Sequence, residues 1–552
     1  MSATNEKLFA EFPPVTTAEW EAAIAKDPKG RDPKTLIWKT EDGVDVKPFY
    51  RAEDIQHLSA AEVPLAARSW HVGCEASTND ALRNALEHGA QAVIVPLALV
   101  KQVPIDEASV HVKARAGDAA AFARATTGSL HIDPIADLSR EEAIEHFRHA
   151  RATVPRMTPF VVDAVRFQNA AATVTQELAF AVATGAECLA ELTEAGILAS
   201  DATPQIIFSF GIGSSYFFEI AKLRAARLLW RRITEAFGAT ADARIHAHTS
   251  RWNKTIYDAH VNLLRATTEA MSAVIGGCEM LSVGPFDEVW KAPNEFSQRL
   301  AINTQLILRD EAQFGKSDAA AGSWYIEALT DQIARAAWKI FQDVEAVGGM
   351  RTASATGFVE QTIGAAGAKR DAAIATRKRI FVGVNQYANA REQAPAELIE
   401  NGITNSRGAF PFEAMRHATD RYALKTGSRP VVFLARLGDA KMRRARAEFV
   451  SNYFACAGFA IADSNGFDSA DDAIAAIQIS NPAIVVLCSS DAEYPALAAA
   501  ICPKVSQPVI IAGYSKELLD TLKQAGVADF VYLGSNAVQV LTRWQKQLGI
   551  VS

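Results

Sequence analysis

Two histidines at strand spacing are the first side chains in this chain that could do chemistry. His246 and His248 lie two residues apart in the run ARIHAHTS. In a β-strand, residues two apart point to the same face of the sheet, so both imidazoles could bind one metal ion. A stable zinc site needs at least three protein ligands, and no third ligand is evident from the sequence. We therefore expect no metal site here.

A row of arginines is the second chemical pattern. Arg224, Arg227 and Arg231 follow one another at intervals of three and four residues, which places them on one face of a helix. Such a face is usually exposed to solvent or to another subunit, and it can also bind phosphate. We favour a solvent-facing or subunit-facing surface over a phosphate site.

Composition limits the class of protein. The formal net charge of -7 gives no general electrostatic reason to expect nucleic acid as a partner. The sequence has no apolar run of about 18 residues and no basic segment followed by an apolar core near residue 1. We therefore expect no membrane partner and a cytoplasmic location. No C-x-x-C pair occurs, which favours buried free thiols over disulfides or a thiolate metal site at Cys74, Cys188, Cys278, Cys456, Cys488 and Cys502.

Alternating strands and helices must position these side chains. The apolar run at 206–210 predicts a buried strand, a Gly-Ile-Gly-Ser-Ser turn follows it, and helical periodicity begins at Tyr216. Repetition of this β-to-α alternation over about 300 residues predicts a (β/α)8 barrel, with functional groups at the carboxyl ends of its strands. Further strands are predicted at 69–73, 91–99, 129–135, 159–165, 243–250, 279–285 and 364–368, with helices at 78–89 and 174–196.

A second α/β unit follows the barrel. Five apolar, β-branched runs separated by helices predict a doubly wound parallel sheet of the flavodoxin type, which binds ligands at the carboxyl ends of its strands. These runs are at 431–436, 459–464, 483–490, 508–513 and 529–534. We divide the chain into an N-terminal arm (1–50), a barrel (51–380), a linker without regular period (381–428) and this second domain (429–552).

Three longer stretches resemble a known family. They read FFEIAKLRAARLLW at 217–230, HTSRWNKTIYD at 248–258 and NTQLILRDE at 303–311. These stretches resemble the adenosylcobalamin-dependent acyl-CoA mutases, above all the methylmalonyl-CoA mutase family, and the similarity extends from about Leu36 to the C-terminus. The resemblance implies a (β/α)8 barrel followed by a flavodoxin-like, cobalamin-binding-type domain. Within the family, the chain most resembles the small, non-catalytic subunit.

The resemblance also implies a cobalt-binding histidine in a D-x-H-x-x-G motif after the first strand of the second domain. Here Asp439 keeps the acidic place, but Lys441 stands at the histidine place. Arg444 stands at the glycine place, where it would fill the space that a glycine leaves open. A lysine binds cobalt only when neutral, which means lowering a pKa near 10.4 by about 3 units, or about 4 kcal/mol.

The distribution of histidines does not depend on any alignment. The last histidine of the chain is His417, so no imidazole from 429–552 can bind cobalt. Asp439 is then better explained as the N-cap of the helix that begins near Lys441.

The other family positions of the second domain are unevenly kept. Ser489 and Ser490 match the family's serines after the third strand of the domain. Tyr514 replaces the second glycine of a pair that begins with Gly513. A serine pair after a strand is weak support for a ligand site, because strand ends are often polar for turn formation alone.

The barrel positions also depart from the family. The place of the family's tyrosine falls near Gly73, and that of its acyl-contacting histidine falls near Gln168. Gln168 can donate a hydrogen bond, but it cannot serve as an acid. His248 and Arg251 replace a glutamine and a glycine of the motif H-x-Q-T-S-G.

These departures predict the structural small subunit of a heterodimeric methylmalonyl-CoA mutase, with no catalytic, cofactor-binding or metal-binding residue of its own. The resemblance implies a complex of propionate metabolism that interconverts (R)-methylmalonyl-CoA and succinyl-CoA by radical rearrangement. Its adenosylcobalamin and acyl-CoA would bind the large catalytic subunit. Two alternatives remain, an active acyl-CoA mutase with altered cobalamin ligation and an assembly or protection factor for cobalamin enzymes. The chain lacks the G-x-x-x-x-G-K-[ST] loop of the family's GTPase partners, so we expect no nucleotide hydrolysis.

Overall fold

The computed structural model describes residues 11–13, 15–26, 32–58, 69–102, 108–113, 127–395, 398–399, 402–403 and 407–551. Its strands form one antiparallel hairpin and two parallel sheets. The hairpin pairs β1 (Trp38–Lys39) with β2 (Asp45–Val46). Gly43, in the hairpin turn, has a φ of 73°. This is the left-handed conformation that glycine adopts without strain.

The larger parallel sheet is a barrel. Its strands pair in the order β7-β6-β5-β4-β3-β11-β10-β9-β8. They are β3 (His71–Glu75), β4 (Ala92–Pro96), β5 (Ser109–Lys113), β6 (Gly128–Leu130), β7 (Met157–Thr158), β8 (Phe160–Asp163), β9 (Ile206–Ile212), β10 (Arg244–Thr249) and β11 (Met280–Ser282). Since only Pro159, which has no N–H to donate, separates β7 from β8, the two ends of this order belong to one interrupted strand. The sheet thus returns on itself, and the predicted (β/α)8 barrel is confirmed.

Helices cover the outside of the barrel and both faces of the second sheet. In the first part of the chain they are Thr17–Ala25, Asn79–Glu87, Arg140–Thr153, Val165–Asn169, Val174–Glu194, Ala199–Ala202, Tyr216–Ala236, Val261–Gly276, Glu295–Leu306, Trp324–Ala346, Gly349–Ala355 and Phe358–Ala375. Later helices are Phe410–Thr426, Ala440–Ala455, Ala470–Ser480, Tyr494–Ile501, Leu519–Gln524 and Ala537–Gln547.

One β-α unit shows how the sequence builds the barrel. Every residue of β9 is buried, as expected for a continuous apolar run in a parallel strand that is covered on both faces. After the turn, the helix Tyr216–Ala236 begins at the predicted residue and buries Phe218, Ala221 and Ala225 against the core. Both elements were predicted from the change of hydrophobic period.

One predicted strand is absent from the structure, and one observed strand was not predicted. Residues 364–368, Gly-Ala-Ala-Gly-Ala, lie inside the helix Phe358–Ala375 rather than in a strand. Small residues carry no β-branched signal, so this segment follows the helix around it. In contrast, β5 was not predicted, because Ser-Val-His-Val-Lys is short and alternates polar with apolar residues. Its valines are buried in the core outside the barrel.

The second sheet has the predicted flavodoxin-like order. Its strands are β12 (Val431–Arg436), β13 (Ala460–Ala462), β14 (Ile484–Cys488), β15 (Val509–Ala512) and β16 (Val527–Val531), and they pair as β13-β12-β14-β15-β16. All four pairings are parallel. β13 lies on one side of β12, and β14, β15 and β16 lie on the other. The strand order therefore reverses between β12 and β14, and the switch point lies at the carboxyl ends of these two strands.

The segment between the two sheets is more regular than predicted. The helix Phe410–Thr426 occupies much of it. Phe412 and Met415 from this helix belong to the same buried apolar cluster as Val432 of β12 and Trp252 of the barrel. Gln545 Nε2 also donates a hydrogen bond to the Met415 carbonyl at 2.6 Å. The segment therefore packs the barrel and the second sheet onto one shared core.

Two smaller predictions can be compared directly with the structure. The six cysteines are free thiols, and five of them are buried. Among the described residues, no helix is both long enough and apolar enough to cross a membrane.

Candidate functional site

The switch point of the second sheet is formed by two loops that face each other. One loop follows β12 and contains Asp439, and the other follows β14 and contains Ser489 and Ser490. Asp439 Oδ1 accepts a hydrogen bond from the Met442 N–H at 2.8 Å, so it caps the helix Ala440–Ala455. The N-cap prediction for Asp439 is confirmed.

The carboxylate of Glu493 fills the space between these loops. It accepts hydrogen bonds from the hydroxyls of Ser489 and Ser490, both at 2.6 Å, and from the N–H groups of Ser490 and Asp439, both at 3.2 Å. The hydroxyl of Ser489, followed by that of Ser490, lowers the pKa of Glu493 to about 2. Gly438 has a φ of 71°, and a Cβ at this position would overlap the Glu493 carboxylate. The loops that could hold an anionic ligand therefore hold the chain's own carboxylate.

Tyr494 occupies the neighbouring space at the ends of β14 and β15. Its side chain is 1% exposed. The hydroxyl donates a hydrogen bond to the Ala512 carbonyl at 2.7 Å and accepts one from the Ser489 N–H at 3.1 Å. Burial raises the pKa of Tyr494, so the hydroxyl remains neutral. One phenol ring thus links the carboxyl ends of two adjacent strands.

Adenosylcobalamin does not fit the residues of this cleft. Lys441 is exposed on the first turn of the helix Ala440–Ala455. Arg444 also lies on the exposed face of this helix, where it pairs with Glu448 at 2.9 Å. Glu493 and Tyr494, which the sequence comparison had not singled out, occupy the switch point instead.

The last family position of the second domain lies at the edge of this cleft. Tyr514 stacks on Tyr532 with 4.7 Å between ring centroids. A Cβ at Gly513 would lie 3.1 Å from Arg446 Nη1, and Arg446 pairs with Asp491 at 3.1 Å. Aromatic stacking and an ion pair therefore cover the end of the sheet on this side.

At the carboxyl end of the barrel, Gln168 serves as a packing residue. Its Nε2 donates a hydrogen bond to Ser250 Oγ at 2.7 Å, and both side chains are buried. A Cβ at Gly211 would lie 2.9 Å from the Gln168 side chain, so a glycine is needed for this close approach. Ser250 Oγ also accepts a hydrogen bond from the Trp252 N–H at 3.1 Å. Gln168 thus fastens the helix Val165–Asn169 to the loop after β10 and packs against the end of β9.

A buried ion cluster lies directly beneath Gln168. Lys222 is fully buried; its Nζ donates to Glu177 and to the Gly211 carbonyl and forms an ion pair with Glu219, each at 2.6 Å. Burial raises the pKa of Glu177 to about 7, while the two carboxylates outweigh the effect of burial on Lys222 and raise its pKa. The cluster holds the end of β9 to two helices, and its ammonium group is surrounded by three protein oxygens.

A cavity of about 450 Å³ opens beside this cluster. Its two arginines, Arg370 and Arg379, pair with Glu41 at 2.7 and 2.9 Å and lie over the Trp252 ring at 5.0 and 5.1 Å. Burial raises the pKa of Asp42, on the cavity wall, to about 6. The charges of the cavity are largely neutralised by one another.

Side chains fill the interior of the barrel. A Cβ at Gly73, in β3, would lie 2.6 Å from the Leu281 carbonyl oxygen, so there is no room for a tyrosine at this position. His246 and His248 lie two residues apart on β10, and each has a buried ring nitrogen without a hydrogen-bond partner among the described residues. His246 contacts His111 of β5, with 4.7 Å between ring centroids. Arg251 points outward and donates to the Glu288 carbonyl at 3.1 Å.

The prediction of a solvent-facing arginine row is wrong for Arg224 and Arg227, whereas Arg231 is partly exposed and pairs with Asp242. Arg224 is 1% exposed and pairs with Asp318 at 2.8 Å and with Glu327 at 3.0 Å. Arg227 is also buried and pairs with Glu279 at 2.9 Å. The row therefore fastens its helix to neighbouring segments of the barrel.

The chain is similar to known proteins of one family. The family model described as methylmalonyl-CoA mutase matches residues 129–427. The methylmalonyl-CoA mutase small subunit of Porphyromonas gingivalis is 36% identical, over 100% of both chains. The small subunit of Streptomyces virginiae is 31% identical over 98% of both chains. The methylmalonyl-CoA mutase of Rhizobium meliloti is 29% identical over 78% of this chain and 72% of that protein.

Proposed function

Because the chain belongs to the methylmalonyl-CoA mutase family, we propose that it is the structural, non-catalytic small subunit of a heterodimeric mutase. The observation that carries this proposal is the occupied switch point of the second sheet. Glu493 and Tyr494 fill the place where a flavodoxin-like domain binds its ligand, and no histidine occurs between residues 429 and 552. This domain thus offers neither the space nor the imidazole that cobalamin binding requires.

The barrel supports the same proposal. Gln168 stands near the place of the acyl-contacting histidine and is engaged with Ser250. Gly73 stands near the place of the tyrosine and leaves no room for a side chain. The polar groups at the barrel mouth are thus committed to one another, and the chain contributes no catalytic residue.

In this proposal the interconversion of (R)-methylmalonyl-CoA and succinyl-CoA takes place on a large subunit. The family is cobalamin-dependent, and the large subunit would hold both the adenosylcobalamin and the acyl-CoA. The present chain would contribute folded surface to the complex. We also propose that the chain is divided into an arm (1–50), a barrel (51–380), a linker (381–428) and a second domain (429–552).

Co-expression with a large mutase subunit tests this function. We expect a stable one-to-one complex on size-exclusion chromatography, and mutase activity only in fractions that contain the large chain. The E493A variant should assemble as well as the wild type, because Glu493 serves the fold of one loop pair rather than the reaction. Turnover by the purified chain alone would contradict the proposal and favour an active mutase with altered ligation. Substoichiometric association would favour an assembly factor.

A further inference from the structure

Three histidines from different strands meet inside the barrel. His111 lies on β5, His131 follows β6, and His246 lies on β10. Their ring centroids are 4.7 Å apart for His111 and His246, 6.0 Å for His111 and His131, and 6.4 Å for His131 and His246. Since β5 and β10 are not neighbours in the sheet, their side chains can touch only across the barrel interior. We call these three residues the imidazole cluster.

The imidazole cluster has the hydrogen-bonding pattern of a ligand site rather than of a satisfied core. His131 Nε2 and His246 Nδ1 are buried and have no hydrogen-bond partner among the described residues. A buried polar nitrogen that has lost its water and gained no partner is unfavourable, and native structures rarely keep two of them side by side. Water or a bound ligand would satisfy these nitrogens, which no described residue does.

The protonation state of the cluster suits a cation. Burial lowers the pKa of His111 to about 3 and lowers the pKa values of His131 and His246 well below the ordinary value. All three rings are neutral at pH 7, and the neutral imidazole is the form that binds metals. The two charged residues that act on the cluster from its surroundings, Arg244 and Lys113, have their own partners in Thr158 and Glu75.

We propose that the imidazole cluster binds one divalent transition-metal ion, with Zn²⁺ as the best match for three neutral imidazoles. One ligand nitrogen from each ring lies within 4.8 Å of the other two. A tetrahedral Zn²⁺ with Zn–N bonds of about 2.0–2.1 Å holds its nitrogens about 3.3 Å apart, so each ring would have to move inward by at most about 0.9 Å. Water would complete the fourth position.

The surroundings of His111 fit this role. One of its ring nitrogens lies 2.8 Å from Ser129 Oγ and the other lies 3.2 Å from Ser109 Oγ. Metal binding would use one nitrogen, and the serine at the other would orient the ring, as outer hydrogen bonds do in zinc sites. The ion would join β5, the end of β6 and β10 across the barrel. It would thus stabilise the fold, and it would lie apart from the switch point of the second sheet.

Metal analysis of the purified full-length chain tests this site. The protein is unfolded with chelator, refolded with Zn²⁺ or Co²⁺, and freed of excess metal before its metal content is measured. We expect one Zn²⁺ per chain, and Co²⁺-loaded protein should show the visible bands of a tetrahedral site. The H246N variant should lose the metal and these bands.

A matched variant controls for nonspecific effects of removing a buried histidine. His146 is also buried and has an unpartnered Nδ1, but it lies on the helix Arg140–Thr153, outside the barrel interior. H146N should therefore retain one metal ion per chain. If refolded wild-type protein with native circular dichroism holds no Zn²⁺ or Co²⁺, the site does not exist. Equal metal content in H246N and wild type would also overturn the proposal. Neither readout depends on mutase activity or on a partner subunit.

Discussion

Removing the Glu493 side chain should loosen both loops of the switch point. The carboxylate accepts four hydrogen bonds from Ser489, Ser490 and Asp439. A hydrogen bond to a charged group contributes about 1.5–3 kcal/mol, but Glu493 is partly exposed and water can replace part of this. We therefore expect E493A to lower the free energy of opening of these loops by about 2 kcal/mol in total.

Hydrogen exchange measures this local opening directly. The N–H groups of Asp439 and Ser490 donate to Glu493, and a loss of about 2 kcal/mol speeds their exchange about 30-fold. Peptides from β3 and β9 in the barrel should exchange as in the wild type. E517A, which removes an exposed carboxylate from the same domain, is the matched control and should leave both loops unchanged. An increase of less than about threefold in E493A would refute the view that Glu493 holds the loops together.

Three further perturbations test other contacts. K222M should lower the free energy of unfolding by about 3–5 kcal/mol, because it leaves two buried carboxylates without their cation; a loss below about 1 kcal/mol in urea denaturation would contradict this. G438A should lower the free energy of unfolding by at least about 1–2 kcal/mol, because the residue is in the left-handed region and its Cβ would overlap Glu493. In the double variant with E493A the overlap is absent, so the total loss should be smaller than the sum of the two single losses. The pKa of Glu493 is lowered to about 2, so its stabilisation is complete above the unfolded pKa of about 4.3 and declines as the pH falls towards 2. In the wild type, hydrogen exchange of the two loops, measured relative to the intrinsic rate, should therefore become faster in acid. E493Q should not show this acceleration, and identical pH profiles for the two proteins would contradict the prediction.

The sequence predicted the architecture because periodicity reports burial. The continuous apolar run of β9 and the change of period at Tyr216 follow from where each side chain must be buried, and such signals recur through both sheets. β5 gave no such signal, since histidine and lysine alternate with its two buried valines. A polar residue that points into a barrel looks like a solvent-facing residue in the sequence.

Tertiary partners account for what could not be predicted at the sites. Helical spacing placed Arg224 and Arg227 on one face, but their partners Asp318 and Glu279 are distant in sequence. The neighbours of His246 come from β5 and the end of β6, which only barrel closure brings close. Glu493 follows Ser490 by three residues, and this spacing could have suggested that the carboxylate folds back on the serine loop.

The proposed absence of a cobalamin site can be tested by titrating the purified chain with adenosylcobalamin and following the visible spectrum. We expect no saturable change at tens of micromolar cofactor, because Glu493 and Tyr494 fill the switch point and residues 429–552 supply no imidazole. The same titration of the assembled complex should show binding that the large subunit alone reproduces. A saturable base-off spectrum from this chain alone would show that the chain binds the cofactor itself and is not a purely structural subunit.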